Sequence, residues 1–240
     1  MEGRELLFDV LICQDLVRGY SRTGISPRCI MKVDVHKAFD SVHWGFIREL
    51  LDHLKFPTQF TKWVMACISS VSYTILVNGV QGEAFEGGRG LKQGDPLSPL
   101  LFVLAMDYFS RLMQHASRQP GFALHPHCRP LGLTHLMFAD DVMIFSKADP
   151  TSISYITSAL HVFHQTAGLQ ANMAKSQIVF GGCDSQVQQA CLAHTGFQEG
   201  SLPLTYLGVP ITANRLSKLE CRTLVDKITG RIHTWSSRSL

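Results

Sequence analysis

Two short apolar runs, LTHLMF (133–138) and VMIFS (142–146), leave only Ala139, Asp140 and Asp141 to join them, and this restricts the fold more than any other feature. Runs of five or six apolar residues suit strands and are too short for stable helices. The segment therefore predicts a tight hairpin with two carboxylates at its tip. Adjacent carboxylates near a hydrophobic core raise each other's pKa and resist desolvation, so the pair asks for a cation. Neighbouring residues of a strand point to opposite faces, and only a turn lets both carboxylates aim at one point. An Asp-Asp pair is also what a simple polar turn would carry.

A second strand supplies a third carboxylate. In CIMKVDV (29–35) apolar residues alternate with Lys32 and Asp34, as in a strand emerging from a core, with Asp34 near its end. Three carboxylates that offer only oxygen suit two Mg²⁺ ions, because hard cations prefer such ligands and keep positions open for phosphate and water. Such a metal pair clamps an in-line phosphoryl displacement, one ion activating a primer 3′-hydroxyl and the other steadying the triphosphate. Nucleotidyl transfer is the expected reaction class.

Elsewhere the spacing predicts helices over 5–19, 44–55, 58–70, 97–117, 151–167 and 215–230, with Thr151 or Ser152 capping the fifth. SYTILVNG and EAFEGG predict a hairpin around the Asn78-Gly79 turn, RGLKQGDPLSP and SRQPGFALHPHCRPLG irregular segments, SQIVFGG a strand and YLGVPIT a strand pair. Helices and strands alternate without a βαβ rhythm, so the expected class is α+β, an antiparallel sheet with helices packed on one face.

Composition adds exclusions. With 45% hydrophobic and 17% charged residues the 240-residue chain is an ordinary globular protein. Its net charge of +3 is spread without a basic run and does not by itself point to nucleic acid. Seven scattered cysteines without a CxxC pair read as reduced thiols, and the absence of an apolar stretch of membrane-spanning length predicts a soluble, intracellular protein. His125, His127 and Cys128 lack a fourth zinc ligand at suitable spacing, and His161 and His164 read as a polar helix face.

KVDVHKAFDSV, GLKQGDPLSPLLF, FADDVMIF, GLQANMAKSQIVF and LPLTYLGVPI stand in the order of polymerase motifs A to E of reverse transcriptases. With HPHCRPLGLTHLMFADD and GFQEGSLPLTYLGVPI, the chain resembles the reverse transcriptase of LINE-type (non-LTR) retrotransposons, the plant lineage in particular. The resemblance implies a right-hand polymerase palm with partial fingers. It makes Asp34, Asp140 and Asp141 the metal ligands, with the Val35 carbonyl, and Mg²⁺ the cofactor, with Mn²⁺ a possible substitute. It makes Phe39 the aromatic that excludes a 2′-hydroxyl, Gln93 and Gly94 the nucleotide and template pocket, and Lys175 the motif D lysine near the leaving pyrophosphate. Tyr206, Leu207 and Gly208 become the hairpin that grips the primer. The implied partners are an RNA template, a DNA primer and deoxynucleoside triphosphates, with no membrane and no evident protein partner.

By periodicity alone Phe39 is a core aromatic, QGDPLSP a capped helix entry, Lys175 a surface lysine and 206–208 a strand pair. The expected division is 1–30 as a remnant of the fingers, where Arg4 would contact the nucleotide phosphates, then 31–212 as palm with a finger-side insertion near 44–88, and 213–240 as the start of a connection toward a missing thumb. An inactive, truncated remnant that keeps the palm fold is the alternative. An intron maturase would need further splicing domains, and an RNA-dependent RNA polymerase a smaller group at Phe39.

Overall fold

A computed structural model describes residues 6–22 and 24–214, with scattered positions between 222 and 234. Arg4 and most of the predicted 215–230 helix lie outside the described residues.

The elements run α1 (Leu6–Val17), β1 (Arg28–Asp34), α2 (Ala38–Ser41), α3 (Trp44–His53), α4 (Thr58–Ser69), β2 (Ser72–Tyr73), β3 (Leu76–Val77), β4 (Val80–Gln81), β5 (Phe85–Glu86) and α5 (Leu97–Ser117). A 3₁₀ turn (Pro126–Leu131) precedes β6 (His135–Phe138), β7 (Asp141–Ser146), α6 (Pro150–Ala167), β8 (Gln177–Gly181), α7 (Ser185–Thr195), β9 (Gln198–Glu199), β10 (Leu204–Tyr206) and β11 (Val209–Ile211).

The main sheet has the order β6-β7-β1-β8-β9, so the strand bearing Asp34 is central. β1 is antiparallel to both β7 and β8, as expected. One correction is needed at the edge, where β9 runs parallel to β8, which makes the sheet mixed. A chain leaving β8 through α7 returns in the same direction, the usual consequence of a helical crossover.

Side-chain alternation along β1 explains the two layers. Cys29, Met31 and Val33 face a large core filled from α2 to α7, including Phe102, Phe109, Ile156 and Phe163. Ile30 faces a second core with Val10, Cys13, Leu16 and Val17 of α1, Met143 and Phe145 of β7, and Leu204, Tyr206 and Ile211 of the β10–β11 hairpin. The helical layer on one face is therefore accompanied by α1 and a hairpin on the other. α1 is joined to that hairpin at its far end, where the Gln14 amide donates to the Thr212 carbonyl at 2.7 Å and Gln14 Oε1 accepts the Thr212 amide at 3.2 Å.

The 3₁₀ turn, expected as loop, closes over the second core. His125 is fully buried, and its Nδ1 accepts the His127 amide at 3.2 Å. The neutral ring therefore carries its proton on Nε2, which donates to the Tyr20 hydroxyl at 3.0 Å. α6 is capped by Asp149, two residues before the expected Thr151: its carboxylate accepts from the Ser152 amide and hydroxyl, both at 2.9 Å. No helix among the described residues is long and apolar enough to cross a membrane.

Candidate active site

Asp34 and Asp141 are direct register partners across β1 and β7. The Asp34 amide donates to Ser176 Oγ at 3.2 Å, and its carbonyl accepts the Asn172 amide at 2.7 Å, so both backbone groups face the β8 side. Asp34 and Asp141 therefore form a non-hydrogen-bonded pair, the kind whose Cα atoms approach to about 4.5 Å and whose side chains share a face. That face is the one carrying Lys32 and the hairpin layer. Burial raises the Asp141 carboxyl above the usual range; Lys32 opposes this, and the charges of Asp140 and Asp34 add to it.

Val35 continues the same alternation. It bridges Ala171 without a bond of its own, since the bonds on either side belong to Asp34 and His36. Its carbonyl therefore turns toward the β7 side, where the next register position belongs to Asp140. Asp140 itself is exposed on the two-residue turn, beside Ala139, which is held at a φ of +52°. The turn therefore brings Asp140 alongside the other two carboxylates in register. Among the described residues the three are not drawn into a closed ligand cluster.

Phe39 sits on α2, half-buried, its ring stacked on Phe102 of α5 at 4.6 Å between centroids. The start of motif B is zipped to this segment: the Gly90 amide donates to the Val42 carbonyl at 2.8 Å, the Leu91 amide to the Phe39 carbonyl at 2.7 Å, and Trp44 Nε1 to the Gly90 carbonyl at 2.7 Å. Gly90 has a φ of +95°, and a Cβ there would lie 2.8 Å from the Asp40 carbonyl oxygen, so the approach requires glycine. Nothing in the spacing singled out Gly90 or Trp44; they are legible only once α2 and motif B are seen side by side. Gln93 and Gly94 are exposed on the turn that follows, and Asp95 caps α5 through the Leu97 amide at 2.8 Å.

Lys175 is exposed on the turn between Asn172 and Ser176, both bonded to the Asp34 backbone. The expected primer grip divides. Leu207 and Gly208, with φ of +50° and +80°, form the tip of the β10–β11 hairpin, whereas Tyr206 is fully buried in the second core. The Tyr206 ring thus anchors the hairpin in that core.

A family model described as "Reverse transcriptase (RNA-dependent DNA polymerase)" matches residues 7–211. The chain belongs to the reverse transcriptase family.

The chain is 29% identical over 224 residues to the Pol polyprotein of the type-2 retrotransposable element R2DM of Drosophila melanogaster; the match covers 88% of the chain and 20% of the polyprotein. Over 69 residues, 28% of the chain and 55% of the relative, it is 39% identical to an uncharacterized mitochondrial protein of Arabidopsis thaliana. Among solved structures, apo telomerase of Candida tropicalis superposes with a TM-score of 0.57 at 13% identity, over 88% of this chain and 38% of the other, which supports the polymerase palm fold. The chain spans about a fifth of its R2 relative.

Proposed function

We propose that this domain extends a DNA primer along an RNA template, as part of a non-LTR retrotransposon polymerase of the plant lineage, with the palm over 31–212. The observation that carries the reading is the pairing of Asp34 with Asp141 across the two central strands, with the Val35 carbonyl turned toward Asp140. The lineage is supported by the wording of motifs C and E and by the Arabidopsis relative.

The donor set fits a divalent cation: it is all oxygen, and one member, Asp141, is held above its normal pKa by burial and by its acidic neighbours. Asp34, Asp140, Asp141 and the Val35 carbonyl would hold Mg²⁺, or Mn²⁺ in its place. Bound there, the ions would lower the pKa of the primer 3′-hydroxyl and offset charge on the departing pyrophosphate. The protein supplies position and selection. Phe39, braced by Phe102, presents an aromatic edge that leaves no room for a 2′-hydroxyl on the incoming sugar. Gln93 and the side-chain-free Gly94 let the nucleotide approach the backbone. The Lys175 ammonium, beside the Asp34 backbone, offers a proton or a counter-charge to pyrophosphate, while Leu207 and Gly208 hold the primer end. Arg4 is assigned to the nucleotide phosphates.

The alternative is a palm that keeps the fold without the chemistry. Primer extension on poly(rA)–oligo(dT) with Mg²⁺ and labelled dTTP decides between the two. Extension by the natural chain that is lost in an Asp140→Asn, Asp141→Asn double variant is the expected result. Folded natural protein that extends nothing establishes the inactive reading.

A further inference from the structure

Lys32 is not one of the expected site residues, yet its side chain makes a polar link from β1 to the hairpin. It lies on β1 two residues before Asp34, on the same face, opposite Met143 on β7 and Gln177 on β8. Its Nζ donates to the Thr205 carbonyl of β10 at 2.8 Å. The hairpin register explains why that carbonyl is available. Tyr206 pairs with Val209 across the two-residue turn, so Thr205 and Pro210 form a non-hydrogen-bonded pair. The Thr205 carbonyl therefore points out of the ribbon. The ribbon is its own two-stranded sheet and shares no ladder with the main one. Its other ties include the packing of Leu204, Tyr206 and Ile211 in the second core and, at the far end, the Gln14–Thr212 pair and the Gly19 amide on the Ala213 carbonyl. Apolar packing leaves the height of the tip loosely set, whereas a directed hydrogen bond from a charged donor sets it.

We propose that Lys32 is a positioning residue for the polymerase reaction: by holding the Thr205 carbonyl it fixes the Leu207–Gly208 tip relative to Asp34 and Asp141, and so places the primer terminus. The inference rests on the polymerase reading above. Lys32 touches neither primer nor nucleotide in this role; it acts through β10.

The test compares the full chain with Lys32→Met, which keeps the apolar stem without the donor, and Lys32→Arg, which keeps a donor. Hydrogen–deuterium exchange is read over 204–211, with 28–34 and 141–146 as internal references. The bond is solvent-exposed, so its loss is expected to speed exchange in 204–211 roughly threefold to tenfold, less than the full effect of a charged hydrogen bond. Lys32→Arg restores protection. In primer extension, Lys32→Met raises the KM for primer–template by a similar factor and leaves the KM for dTTP unchanged. Unchanged exchange over 204–211 overturns the tether whether or not the protein polymerises. Faster exchange with an unchanged primer–template KM overturns the positioning role. A natural chain that extends no primer defeats the polymerase reading and the positioning role with it, while the exchange result still judges the hydrogen bond.

Discussion

Ala139 is held under backbone tension at the candidate site. A φ of +52° costs a non-glycine residue about 1 kcal/mol, and here it falls beside the exposed Asp140 on the hairpin turn. A glycine would adopt the same angle freely. Ala139→Gly is therefore expected to leave the thermal midpoint unchanged or raise it, by the equivalent of up to about 1 kcal/mol, while lowering kcat severalfold because the turn no longer fixes the Asp140 carboxylate. A calorimetric scan beside steady-state extension checks this, and a lower midpoint would show that the turn stores no strain. At this scale much of the site was legible in the sequence. Asp34, Asp140 and Asp141 stand out because carboxylates beside apolar strands are costly without a partner. Gly90 did not, because its requirement comes from the Asp40 backbone, 50 residues away in the chain. Tyr206 was assigned to the primer, and its burial in the second core follows from a layer that α1 completes.

Elements with strong local signals were read closely. Asn78 and Gly79, at φ of +51° and +82°, make the expected two-residue turn, and α5 runs over the predicted 97–117. α7 was missed because only Cys191 and Thr195 of its eleven residues are buried, so it carries almost no apolar stripe. β9 was missed because both its residues are exposed and it joins the sheet through backbone bonds alone. The 3₁₀ turn was hidden by its prolines, yet it has a measurable consequence. Burial, with Arg28 and His127 contributing, lowers the His125 pKa from 6.5 to about 3. The folded state therefore resists a proton that the unfolded state accepts below pH 6.5, and stability present above pH 6.5 is lost as pH falls toward 3. Between pH 7 and pH 5 this group alone costs about 2 kcal/mol. Urea unfolding at the two pH values should show that loss in the natural chain and a much smaller one in His125→Gln. Equal losses in both would move the acid sensitivity elsewhere.

The described residues form two cores on one floor. β1, β7 and β8 send alternate side chains into a helical layer and a hairpin layer, and the candidate site lies at the strand ends where both layers are within reach. On the proposed function the nucleotide side falls to the helical layer, where Phe39 rests on Phe102, and the primer side to the hairpin layer, where β10 and β11 share a core with Phe145. Both phenylalanines are almost fully buried, so Phe102→Leu and Phe145→Leu should each cost about 1–2 kcal/mol. The shared strands require that each variant still unfold in one transition, because neither layer keeps a floor when the other melts. Their kinetic signatures should part: Phe102→Leu raises the KM for dTTP, and Phe145→Leu raises the KM for primer–template. Two unfolding transitions would mean the layers are separate folding units, and identical kinetic effects would mean that the division of labour between the two faces of the sheet is wrong.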